Sequence, residues 1–192
     1  MRRVDWRGLA SFNELGEKQA LAALYECCSS RIWALRVATA RPYADEAALL
    51  ARADDVLAEL TDTDLAEALD GHPRIGDRPD NPSSTREQSG VAGADPAVLA
   101  ELRELNRAYE DRFGQVYLVF ANGRPAAQLL AILKDRMGND PDTERRVMRG
   151  ELAKINRSRL LRMLAPAGRF ANDDADPAAA GTASSDAAEV DA

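Results

Sequence analysis

The sequence predicts an all-α fold: a single compact multi-helix domain with one long irregular active-site loop and a C-terminal tail. Three observations predict it. Apolar residues recur at spacings of three and four almost throughout. Ser, Thr or Asp precedes many of these stretches and Gly follows several of them, as helix caps do. Only one run, Gln115 to Ala121, reads as extended.

The elements follow in order. Ser11 to Leu15 predicts a short opening helix. Glu17 to Cys28 places Ala20, Leu21, Leu24 and Cys28 on one face. Ser29 or Ser30 caps a helix from Arg31 to Thr39, and Pro42 stops it. Asp45 to Leu60 is rich in Ala and Leu. Thr61 or Thr63 caps Asp64 to Leu69, with Glu67 placed as in a capping box. Gly71 closes that helix as a residue tolerant of positive φ. From His72 to Gly93 the chain changes character, because Pro73, Gly76, Pro79, Pro82, Gly90 and Gly93 break every helical period. A loop this long is uncommon unless it serves a function. Within it, Ser83 to Gln88 has room for one helical turn.

Asp95-Pro96 opens a helix that runs through Arg112 and ends at Gly114. Asn122-Gly123 makes a turn after the extended run. Arg124 to Met137 is helical and ends at Gly138-Asn139, and Pro141 opens a last helix to about Leu164. Residues 1–166 therefore form the helical domain. Residues 167–192 read as a disordered acidic tail rich in Ala, Gly and Asp. No helical-hairpin repeat is visible.

Charge and cysteine usage exclude several roles. The net charge is −7, so phosphate backbones are repelled and nucleic acid is not expected as a partner. No basic amphipathic face suits anionic lipid, and no apolar run approaches membrane-spanning length. Cys27 and Cys28 are adjacent, which suits neither a bridge between them nor a metal-ligand set. A reducing, cytoplasmic setting fits, with no secretory signal and no peroxisomal address in Val190-Asp191-Ala192.

Three places carry candidate chemistry. His72 is the only histidine, precedes a proline and opens the irregular segment. It reads either as a helix-end residue bonded to a backbone carbonyl or as a proton-moving group. Glu87-Gln88 sets a carboxylate beside an amide, the makings of either a solvated turn or a polar site. On the final helix Leu152, Ile155 and Arg159 share a stripe, which puts Arg159 beside the apolar face. There it is either a snorkelling side chain or a working cation. Arg157 and Arg162 read as surface charges.

Taken together, these segments resemble the 2-oxo-4-hydroxy-4-carboxy-5-ureidoimidazoline (OHCU) decarboxylases, which complete the conversion of urate to (S)-allantoin. The matching pieces run in order. They are Phe12-Asn13, Trp33 and Arg41-Pro42-Tyr43, then His72-Pro73-Arg74-Ile75-Gly76, then Ser84, Glu87-Gln88 and Gly93. Leu105-Asn106, Tyr109 and Phe113-Gly114 follow, then Gly123-Arg124, Arg136, Asn139-Asp140, Glu144, Glu151 and Arg159-Leu160. One departure is Gln115-Val116-Tyr117-Leu118, where the family usually has a more aromatic, proline-containing run.

The resemblance implies that His72 is the acid/base residue with Glu87 as its partner. It implies that Gln88 and Arg159 bind substrate, that Pro73 and Ser84 line the pocket, and that backbone groups of Val119, Phe120 and Ala121 meet the ring or ureido group. It also implies a homodimer in functional partnership with hydroxyisourate hydrolase and urate oxidase. No cofactor and no metal are implied, because a C=N bond beside the reacting carbon can accept the electrons released with CO2. A histidine titrating near neutral pH suits the proton transfers. Two other readings stay open: the same fold acting on a different ureido or imidazoline acid, and a non-enzymatic helical interaction module in which Glu87 and Arg159 do not converge on His72.

Overall fold

A computed structural model describes residues 8–77 and 82–165 of the chain. Among them, all regular structure is helical: α1 (Gly8–Glu14), α2 (Glu17–Cys27), α3 (Arg31–Thr39), α4 (Glu46–Ala58), α5 (Asp62–Asp70), α6 (Pro82–Glu87), α7 (Pro96–Phe113), α8 (Ala126–Arg136) and α9 (Pro141–Leu164). A 3₁₀ turn, Ser89–Val91, follows α6. No described helix is long and apolar enough to cross a membrane. The acidic tail expected after Pro166 lies outside the described residues.

The caps explain most boundaries. The Ser30 side chain accepts from Trp33 N–H, Asp45 from Ala48 N–H, and Asp95 from Ala97 N–H ahead of Pro96. Asp140 accepts from both Asp142 and Thr143 N–H ahead of Pro141. Each such cap satisfies an orphan donor and is worth ~1 kcal/mol. Gly114 ends α7 in the left-handed conformation, at φ 71°.

Three expectations differ from the fold. The reciprocal capping box of α5 pairs Thr61 with Asp64, not with Glu67. Asp64 is the third helical residue once the helix starts at Asp62, whereas Glu67 turns outward and pairs with Arg31. Gly71 is needed, but not for a positive φ, since its φ is −79°. A Cβ there would lie 2.1 Å from Ser29 Oγ, so glycine lets the end of α5 press against the α2–α3 turn. The third is the run Gln115 to Ala121, which joins neither helix nor strand. It crosses the interior as a single unpaired segment, with Tyr117, Leu118, Val119 and Ala121 buried.

Two apolar clusters make up the core. The larger gathers Phe12, Leu24, Trp33, Leu49, Val56, Met148, Leu152 and Leu160 from α1 to α4 and α9. Arg41 ties its corner, donating to the Phe12 and Leu15 carbonyls at 2.8 Å each, while Asn13 and Tyr43 exchange side-chain-to-backbone bonds. The smaller cluster joins Ile75, Leu102, Tyr109, Tyr117, Val119, Leu129 and Leu133. The segment 117–121 contributes to both, with Leu118 in the larger and Tyr117, Val119 and Ala121 in the smaller. The candidate site residues gather at that seam.

Candidate active site

Two recesses meet at His72. The inner one is a narrow cavity of about 20 Å³ bordered by His72, Pro73, Ser84, Glu87, Gln88 and the 117–121 segment. On the other side of the histidine an open groove of about 700 Å³ runs between α5 and the end of α7. That groove is larger, and its lining mixes Asp62, Asp70, Glu110, Asp111, Arg74 and Arg145 with Leu65, Leu69 and Val116. The chemistry-bearing groups face the inner cavity. Pro73, Ser84, Gln88, Val119, Phe120 and Ala121 all border it. Arg159 joins through Glu87.

The loop that carries His72 is tied from three sides. His72 N–H donates to Leu69 C=O at 2.9 Å, ending α5. Asn106 Nδ2 on α7 donates to Ile75 C=O at 2.9 Å, and Arg74 makes a two-pronged contact with Glu110 at 2.6 Å per bond. Gln88 is the third tie: its Oε1 accepts from Gly76 N–H at 3.1 Å, and its Nε2 donates to Arg74 C=O at 3.4 Å. In this state Gln88 serves the loop first, with one Nε2 hydrogen left over.

His72 keeps both roles the sequence left open. Its Nδ1 lies 2.9 Å from Ala68 C=O. A carbonyl only accepts, so Nδ1 carries the hydrogen and Nε2 is left with its lone pair. Nε2 is buried and meets no partner among the described residues. Burial pushes the imidazole pKa down to about 4, with the Arg159 charge adding to the effect and the Ala68 carbonyl and Glu87 opposing it. The ring is therefore neutral at pH 7, not poised at its midpoint as the sequence suggests. The tautomer is fixed by a backbone carbonyl, so Glu87, implied as the partner of His72, is not needed for that task.

Glu87 is held instead by arginines. Arg159 Nε and Nη2 reach its two oxygens at 2.7 Å each, a bidentate pair spanning α9 and α6. Arg162, expected on the surface, donates from Nη2 to the same carboxylate at 3.1 Å, and its side chain is only 16% exposed. It sits three residues after Arg159, so helix geometry brings it over the same face. Burial raises the Glu87 carboxyl, but the hydrogen bonds and charges of Arg159 and then Arg162 outweigh it and hold the group below its ordinary range. Two guanidiniums on one carboxylate leave a net positive charge beside a neutral imidazole, a setting suited to an anionic ligand.

The opposite wall is the segment 117–121. It docks on the Glu87 segment through Gly123 N–H, which donates to Glu87 C=O at 3.2 Å. Gly90 is packed against this turn, since a Cβ on it would lie 2.1 Å from Gly123 C=O. Behind the wall sits a buried network that the sequence reading did not assemble: Arg136, Glu144, Tyr109 and Asn139. Its signal was present as spaced charges at Arg136 and Glu144, but periodicity alone does not pair residues on different helices.

Comparisons with known proteins bear on the family and the fold. The OHCU decarboxylase family model matches residues 13–161. The chain is 32% identical over 146 residues to the uric acid degradation bifunctional protein TTL of Arabidopsis thaliana, covering 71% of this chain and 45% of that protein. It is 33% identical over 73 residues to the 2-oxo-4-hydroxy-4-carboxy-5-ureidoimidazoline decarboxylase of Amia calva, covering 38% of this chain and 42% of that protein. The chain thus spans less than half the length of either relative. The crystal structure of an OHCU decarboxylase in the presence of (S)-allantoin superposes with a TM-score of 0.67 at 27% identity, covering 78% of this chain and 99% of that one.

Proposed function

Because the chain belongs to the OHCU decarboxylase family, we propose that it converts 2-oxo-4-hydroxy-4-carboxy-5-ureidoimidazoline to (S)-allantoin and CO2 at the inner cavity, with His72 as the proton-transfer group. The observation that carries this reading is the neutral His72 ring, with Nδ1 on Ala68 C=O and Nε2 unpartnered beside the Glu87–Arg159 pair.

The steps suit these residues. The substrate bears a hydroxyl and a carboxylate on one ring carbon, next to a C=N bond. The bond to the carboxylate breaks, CO2 leaves, and the electron pair passes through the ring into the C=N unit, whose nitrogen takes a proton from solvent. His72 Nε2 removes the hydroxyl proton, so that carbon becomes a carbonyl, and the imidazolium returns this proton to one face of the neighbouring carbon. The neutral ring is the competent base. Glu87, ionised at working pH, favours the imidazolium formed, against the larger opposing effects of burial and the Arg159 charge. Arg159 and the spare Gln88 hydrogen supply donors to the substrate's oxygens, with Pro73 and Ser84 as walls and the backbone of Val119 to Ala121 opposite. One face is protonated because the walls hold the ring in a single orientation. A cavity of about 20 Å³ holds little more than a water, so ring binding requires the walls to part.

The active protein in this reading is a cytoplasmic homodimer working after urate oxidase and hydroxyisourate hydrolase. A reducing compartment suits its two buried free thiols, Cys27 and Cys28. The test is direct. OHCU is generated freshly from urate, and its decay is followed by absorbance while the optical activity of the allantoin is recorded. Accelerated decay with one enantiomer supports the reading; an unchanged decay rate and racemic product overturn it. A conserved fold with a different ureido or imidazoline substrate would show as turnover of another acid in the same assay.

A further inference from the structure

The wall at 117–121 poses an accounting problem. It is buried, yet it lies in neither helix nor strand, so its backbone groups need other partners. Two side chains take one group each. Arg136 Nη1, at the end of α8, donates to Leu118 C=O at 2.6 Å. Phe120 N–H donates to Glu151 Oε2, on α9, at 2.8 Å. Ala121 C=O is taken by Arg124 N–H at 2.8 Å. Val119, between the clamped residues, is 3% exposed and borders the inner cavity. Its N–H and C=O meet no hydrogen-bond partner among the described residues. Where such a segment runs extended, the backbone groups of successive residues face opposite ways. Holding Leu118 C=O and Phe120 N–H on one side therefore leaves the Val119 pair free to turn to the other, and Val119 borders the cavity.

Arg136 is itself aimed. Its Nε donates to Glu144 Oε1 at 2.8 Å and its Nη2 contacts the same oxygen, while Tyr109 Oη donates to that oxygen and Asn139 Nδ2 reaches Oε2 at 2.7 Å. Glu144 is wholly buried. Apolar residues of similar size commonly match or exceed the stability of such a pair. A planar guanidinium with two nitrogens locked on Glu144, however, delivers the third to one fixed point, Leu118 C=O.

We propose that Arg136 and Glu151 are positioning residues that set the backbone of Val119 toward the substrate, and so govern which face of the ring is protonated. The reaction in this statement rests on the decarboxylase reading above.

The experiment uses the full chain with Glu151→Ala, Glu151→Gln and Arg136→Lys, and with Lys154→Ala as a control, since Lys154 pairs with the other Glu151 oxygen at 2.5 Å and is exposed. Three quantities are read: kcat and KM on freshly generated OHCU, the enantiomeric excess of allantoin at saturating enzyme, and hydrogen exchange of the Phe120 amide in the free protein. Glu151→Ala and Arg136→Lys should lower kcat/KM by about 10–100-fold, with a loss of enantiomeric excess. Glu151→Gln, which keeps an acceptor for Phe120 N–H, should restore both, and Lys154→Ala should match wild type. Faster Phe120 exchange should accompany the Glu151→Ala loss. If Glu151→Ala lowers the melting temperature but leaves KM, enantiomeric excess and Phe120 exchange unchanged, the residue is merely structural and the proposal falls. A wild-type protein that does not turn over OHCU overturns the decarboxylase reading instead, and Phe120 exchange then decides the clamp by itself.

Discussion

Two buried arginine–glutamate pairs flank the same segment, and they are built to different ends. In the Arg136–Glu144 pair the carboxylate is 0% exposed, and its oxygens are filled by Arg136, Tyr109 and Asn139. In the Arg159–Glu87 pair the carboxylate also lies beneath a second guanidinium, that of Arg162, but it borders a cavity and sits beside an imidazole with an open nitrogen. The first pair is closed on itself and spends its remaining donor on a backbone carbonyl. The second is left with one positive charge in excess and a place for a ligand to meet it. The chemistry of the pair is the same, so function lies in what surrounds it.

The comparison breaks first at His72. Replacing it with Gln removes the base while keeping a hydrogen-bonding group near Ala68 C=O, and should cost about 10²–10⁴ in kcat with far-UV circular dichroism unchanged. A similar loss from any other single substitution near the cavity would displace His72 from the centre of the mechanism. Next comes the sealed pair. Glu144→Ala strands the Arg136 charge and should cost about 3–5 kcal/mol of stability, read from urea denaturation midpoints. Arg136→Met combined with Glu144→Leu should regain much of that stability without regaining enantiomeric excess, because nothing then holds Leu118 C=O.

Acid pH separates the two regions further. The folded pKa of His72 is about 4 against an ordinary 6.5. Between those values the unfolded chain takes up a proton that the native site refuses. Stability is therefore full above pH ~6.5 and falls, by up to about 3 kcal/mol, as pH drops toward 4. Glu87, held below its ordinary range, also loses its stabilising contribution in acid. His72→Gln should flatten the part between pH 6.5 and 4 while leaving the carboxylate part, which pH-dependent melting would show.

The smallest effect belongs to Arg162, which adds one bond at 3.1 Å to a carboxylate that Arg159 already holds with two. Arg162→Ala should lower stability by about 1 kcal/mol, the net worth of one hydrogen bond. It should reduce kcat/KM severalfold at most, because Arg159 keeps its bidentate hold on Glu87. A loss as large as that for Arg159→Ala would mean that Arg162 itself meets the substrate.

What was readable beforehand divides along physical lines. Helices and caps are local, and Ser30, Thr61 and Asp95 cap as expected; Asp45, read as the first residue of its helix, and Asp140 cap as well. Membership of the cavity was also legible: His72, Pro73, Ser84, Glu87, Gln88 and Val119 to Ala121 do border one space. The pairings inside it were not. Periodicity tells which face a residue occupies but not which side chain waits on the next helix. So the sequence pairs Glu87 with His72 but does not show that its hydrogen bonds go to Arg159 and Arg162, and it leaves Arg162 in solvent. Gly71 shows the same limit, since its lack of a side chain answers to Ser29, more than forty positions away in sequence, and not to its own φ. The run QVYLVFA looks like a strand because its composition suits burial in an extended form. It has no partner strand, and side chains take over the work of a ladder.

Since the chain contains one histidine, its imidazole can be read without assignment. Nitrogen-15 NMR of the labelled protein at pH 7 measures its charge and tautomer directly. A neutral ring with the proton on Nδ1 and an unprotonated Nε2 is the predicted result. A protonated ring, or a neutral one with the proton on Nε2, would contradict the assignment of Nε2 as the base.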